Sequence, residues 1–115
     1  MKIRLILGGT PLMATLNESA TAREFAALLP LRLTLEDYAS TEKICDLPSK
    51  LSIEGAPAGN AARAGDIAYY APWGNLAVFH RSFGSSEGLV TIGRIDGGIE
   101  VLQRPVAVSA TFERI

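Results

Sequence analysis

The sequence predicts a mainly β protein, a small closed barrel of about eight short strands with one short helix. Apolar and polar residues alternate in runs of five to seven, the period of strands with one buried face, as in Ile3, Leu5 and Leu7. Turn residues separate these runs at near-regular intervals, and only residues 22–29 carry helical spacing. Closure is expected over an open sheet because it removes exposed edges.

The 115 residues fit a single domain, 1–115, large enough to bury a core without metal or disulfide support. Apolar residues make up 48% and charged residues 20%, a balance that places the chain among folded proteins rather than disordered ones. The net charge is −1 and the lysines and arginines form no basic run, which argues against a nucleic-acid partner. One cysteine, Cys45, excludes an internal disulfide and suits a reducing compartment, so the expected location is the cytoplasm. The apolar run Ile3 to Leu7 ends at Gly8-Gly9, too short for a signal-peptide core or a membrane span, and reads as a first strand.

The first strand and Leu12 to Leu16 form an opening hairpin across Gly8-Gly9-Thr10-Pro11. Thr21-Ala22-Arg23-Glu24 matches a capping box, which starts a helix whose stripe is Phe25, Leu28 and Leu29 and which Pro30 stops. Leu31, Leu33 and Leu35 read as a half-buried strand, after which Asp37 to Lys50 lapses into an irregular segment. Gly55 to Asn60 is a loop. Ile67 to Ala71 and Leu76 to Arg81 make a second hairpin around Pro72-Trp73-Gly74-Asn75, because proline presets one dihedral and glycine permits a positive one. Gly84 to Gly88 reads as a flexible loop, and further strands are expected at Leu89 to Ile95, Ile99 to Leu102 and Val106 to Phe112.

The block from Gly65 to His80, continued by Gly88 to Ile95, resembles the cyclophilin-like domain family of small bacterial and archaeal proteins. The Ile3 to Gly9 strand, the Ala22 to Pro30 helix, Glu42-Lys43 and Pro57-Ala58-Gly59 are similar to that family too, so the resemblance spans nearly the whole chain. It implies a compact barrel related to that of the peptidyl-prolyl isomerases, and it speaks to fold, leaving function to be argued from a site. Cyclophilins carry a Phe-His-Arg triplet whose arginine serves the isomerase site, and Phe79-His80-Arg81 repeats it. The order around it differs, since Ser82 to Glu87 follow and the Gly65-Asp66 turn lies upstream.

Two functional readings follow. The leading one is a barrel without established catalysis that binds a small molecule or a short, proline-containing peptide in a groove near Trp73, Phe79, Arg81 and Phe83, where aromatic and basic side chains cluster. The alternative is a peptidyl-prolyl isomerase with Arg81 as the donor that weakens amide resonance. For Trp73, burial beneath a loop and an exposed binding platform remain equal alternatives. Phe79 is expected in the barrel core with Arg81 at its rim, and the single histidine, His80, on the solvent side of its strand. Glu42 and Lys43 read as an ion pair pinning a loop, and Cys45 as a small buried hydrophobe. No metal site or cofactor is expected, because neither histidine clusters nor a phosphate loop occur. Self-association through an unpaired strand is a further expectation.

Overall fold

The computed structural model describes residues 1–115. The opening hairpin joins β1 (Lys2–Leu7) to β2 (Thr10–Leu16), followed by α1 (Ala20–Ala27), β3 (Leu31–Tyr38), β4 (Glu42–Asp46), β5 (Gly59–Ala62), β6 (Asp66–Tyr70), β7 (Asn75–Phe79), β8 (Phe83–Glu87), β9 (Leu89–Ile95), a 3₁₀ turn (Ile99–Gln103) and β10 (Val108–Arg114). Eight strands close a barrel in the order β1-β10-β3-β4-β7-β6-β9-β2, with every pair antiparallel. The barrel therefore has no free edge. Only the separate ribbon of β5 and β8 keeps strands paired on one side.

The alternating residues fill the barrel as their period requires. Ile3, Leu5 and Leu7 meet Leu12, Ala14 and Leu16 from β2, Ala110 and Phe112 from β10, and Leu76 and Val78 from β7 in one buried cluster. On β9 both Ile92 and Ile95 reach that cluster although they are three residues apart. A bulge between Ile67/Gly93 and Ala68/Thr91 inserts the extra residue that restores the phase. Gly93 lies beside it because a Cβ there would stand 2.5 Å from the Thr15 carbonyl oxygen.

The helix packs Phe25 edge-on against Phe112, with ring centroids 5.6 Å apart. Its N-cap is Ser19, whose hydroxyl accepts from the Ala22 amide at 3.1 Å, two residues earlier than the capping box predicts. Thr21 and Glu24 serve a different purpose. The Thr21 hydroxyl donates to the Ser52 carbonyl and Glu24 accepts from the Ser52 amide, so the pair fastens a neighbouring segment to the helix.

Three further expectations change. The irregular segment contains β4, which inserts between β3 and β7. The loop at Gly84 to Gly88 is largely β8, paired with β5, whose first residues fall in the expected Gly55 to Asn60 loop. Ile99 to Leu102 is part of the 3₁₀ turn, because the left-handed Gly98 redirects the chain and Leu102 turns into the core. No helix is long and apolar enough to cross a membrane.

The ribbon of β5 and β8 covers the outer face of β6, β7 and β9 and creates a second small core of Ala62, Ala68, Ala77, Phe79 and Leu89. Ala68 and Ala77 are direct partners in the ladder, and their small side chains leave room for the ribbon to approach. Strands β6 and β7 are thus buried on both faces. Phe79 belongs to this outer core while its neighbour Val78 faces the barrel, the reverse of the expected orientation. The expected orientation assumed that a single buried face awaited phenylalanine, whereas the ribbon supplies a second one.

Candidate functional site

Alternation on β4, β6 and β7 sends Glu42, Ile44, Tyr70, Asn75 and Phe79 to the outer face of the barrel, at the margin of the area the ribbon covers. Register then sets them side by side. Glu42 lies between Tyr38 of β3 and Phe79 of β7, and Asn75 is paired with Tyr70 of β6. Phe83, Ser86 and Leu89, from β8 and the start of β9, form the opposite wall. The result is a concave cavity of about 180 Å³.

Trp73 closes one side from the β6–β7 turn. Gly74, at φ 68°, takes the left-handed conformation that this tight turn requires. The indole meets Tyr70 at 5.3 Å and Tyr38 at 5.7 Å between ring centroids, both nearly perpendicular. Phe79 and Phe83 face each other at 6.1 Å with their planes tilted by 35°. Trp73 is 56% exposed, Tyr38 44% and Phe83 43%, and no other aromatic ring in the chain is this open to solvent. Trp73 is therefore an exposed platform rather than a plug beneath a loop.

Two polar groups are set among these rings. Burial pushes the Glu42 carboxyl above its usual range, with no neighbouring charge or hydrogen bond to offset the loss of water. Asn75 is 3% exposed, and its Oδ1 is buried with no hydrogen-bond partner. An unpaired buried acceptor costs stability and is uncommon in folded proteins. No lysine, arginine or histidine lines the cavity.

A model of the cyclophilin-like family matches residues 5–113. The chain belongs to the cyclophilin-like family. Among solved structures, the solution structure of a hypothetical protein from Archaeoglobus fulgidus is similar, with a TM-score of 0.70 over 100% of this chain and 95% of that one at 22% identity. That likeness is one of fold. No curated protein matches the chain.

In this cyclophilin-like domain the four sequence-predicted site residues part company. Trp73, Phe79 and Phe83 line one cavity, and Arg81 does not. The strand ends at Phe79, after which the amides of His80 and Arg81 both donate to the Thr41 carbonyl, at 3.0 and 3.2 Å. Beyond that end the Arg81 side chain is exposed. Tyr38, Glu42 and Asn75 were not singled out as site residues. Their signal was the paired register of β3, β4 and β7, which emerges only once β4 is seen to be a strand.

His80 is buried rather than solvent-facing, with Nε2 3.2 Å from Asp37 Oδ1 and Nδ1 unpaired. Lys43 is fully buried, donating to the carbonyls of Arg104 at 2.7 Å and Val106 at 2.8 Å, with Asp37 Oδ1 at 3.4 Å. Burial raises the Asp37 carboxyl, but hydrogen bonds from His80 and Lys43 and their charge outweigh it, so the carboxyl sits below its usual range. Glu42 and Lys43 do not pair, because successive strand residues point to opposite faces. Lys43 instead ties β4 to the segment leading into β10. Burial, with Asp46 adding to it, pushes the Cys45 thiol up to about 12. No group of three or more His, Cys, Asp or Glu side chains is placed to hold a metal ion.

Proposed function

We propose that this cyclophilin-like protein is a binding domain without catalysis of its own, taking a small molecule or a short peptide in the cavity bounded by Trp73, Phe79 and Phe83. The observation that carries this reading is the gathering of the chain's three exposed aromatic rings at one concavity. Exposed aromatic surface costs solvation, and rings that could pack inward but line a concavity are typical of ligand sites. The isomerase alternative requires a guanidinium at the apolar pocket, and Arg81 is not among this cavity's walls.

A calorimetric and NMR screen of small molecules and proline-containing peptides tests the reading. Ligands that bind the wild type are expected to lose most of their affinity for Trp73→Ala, which leaves the barrel core untouched. Hits indifferent to Trp73→Ala and Phe83→Ala would remove the cavity as the site. A protease-coupled isomerisation assay on wild type and Arg81→Ala decides the alternative: an Arg81-dependent rate above background would restore it.

A further inference from the structure

The cavity's chemistry is one-sided. Its walls are the faces and edges of Tyr38, Tyr70, Trp73, Phe79 and Phe83, and the only ionisable group besides the tyrosines is the Glu42 carboxyl. Aromatic faces carry negative quadrupole charge and attract cations lying within roughly 6 Å of the ring centroid. The near-perpendicular arrangement of Trp73 against both Tyr38 and Tyr70 makes a corner in which a compact cation would meet more than one ring. Beneath the wall, Asn75 Oδ1 is buried without a hydrogen-bond partner and adds an uncompensated negative partial charge beside the cavity. Glu42, for its part, is half-buried without a counter-ion.

From this arrangement we infer that the ligand is a small organic ammonium ion, its charged nitrogen and the carbons around it held against the aromatic corner beside Glu42. The inference rests on the reading of the cavity as a ligand site and specifies the ligand's class. Three independent features converge on positive charge: ring faces, an unpaired carboxyl and a buried amide oxygen with no donor. An anion would face all three with no lysine, arginine or histidine to receive it. A neutral apolar molecule would bury the carboxyl without pairing it, which carries a desolvation penalty. The cavity, at about 180 Å³, is below the roughly 300–1,000 Å³ of sites for drug-sized ligands, which favours a compact head group.

The test compares choline with 3,3-dimethyl-1-butanol, in which carbon replaces the charged nitrogen at nearly constant shape. The chain's one tryptophan gives a single indole N–H signal, so titration of that signal reports on the cavity directly. Choline is expected to bind about tenfold more tightly than the alcohol, a typical margin for a desolvated cation on aromatic faces. Glu42→Gln is expected to erase most of that margin. If the alcohol binds as well as choline, the inference of a cationic ligand fails while the cavity stands as a ligand site. If neither probe moves the indole signal but neutral or acidic compounds from the screen do, the inference is likewise overturned. If nothing moves it, the site reading falls as well. A margin that survives in both Glu42→Gln and Asn75→Leu would also count against the assignment, since the discrimination would then arise outside these groups.

Discussion

Asn75 sits where stability and binding should pull in opposite directions. Its side chain is 3% exposed and its Oδ1 has no partner, so the folded protein bears the cost of stripping water from that oxygen. An unsatisfied buried acceptor is worth roughly 1–3 kcal/mol, and leucine has nearly the same shape without the polar atoms. The neighbours of Asn75 in the cavity include Ile44, Tyr70 and Leu89, which would receive an apolar side chain. Allowing for imperfect fit and for the water that the amide nitrogen loses, Asn75→Leu should stabilise the protein by about 1 kcal/mol. With an unfolding entropy near 2.1 cal/mol/K per residue, a chain of 115 residues gains roughly 4 °C in Tm for that change. Urea unfolding with a common slope, supported by calorimetry, measures it. A loss of 1 kcal/mol or more would show that Oδ1 is satisfied in the folded protein and would remove it as an uncompensated partial charge beside the cavity.

Other perturbations address the frame around the cavity. Lys43→Met abandons two hydrogen bonds to carbonyls and leaves Asp37 without its lysine, so it should cost about 3 kcal/mol in urea unfolding; a cost under about 1 kcal/mol would reject the tethering role. The depressed Asp37 carboxyl stabilises the fold above the value it has in the unfolded chain, and that contribution disappears as pH falls through its lower folded value. The gap in urea midpoint between wild type and Asp37→Asn should therefore narrow between about pH 5 and pH 2, and a constant gap would contradict it. With its thiol pushed up to about 12, Cys45 should react with a disulfide reagent at a rate set by unfolding, and fast labelling of the native protein at mildly alkaline pH would refute this.

The barrel was legible because its strands obey a period of two, and the turns at Gly8-Gly9 and Trp73-Gly74 mark the hairpins. The second layer was not. Strand β8, Phe-Gly-Ser-Ser-Glu, has the composition of a loop and becomes a strand only through pairing with β5, a tertiary effect that local propensity cannot carry. Strand β4 was obscured by its Glu42-Lys43 start, since a lysine pointing into a protein interior breaks the expected pattern and is tolerated only because carbonyls and Asp37 receive it. Missing those two strands reversed Phe79 and hid Glu42. The aromatic grouping was readable, in that Trp73, Phe79 and Phe83 line one cavity. Arg81 was placed with them by extending the Phe79 face past the strand's end, and His80 was placed in solvent because Val78, whose face it shares, was taken as facing outward.

The central claim is that the outer aromatic cavity, rather than the Arg81 region or the barrel interior, is where this protein meets its ligand. Chemical-shift mapping of hits from an unbiased small-molecule screen tests it most directly, because every backbone amide and the single indole report at once. The shifts are predicted to centre on the Trp73 indole and on the amides of Tyr38, Glu42, Asn75 and Phe83. Saturable shifts centred elsewhere, with the Trp73 indole unmoved, would contradict it.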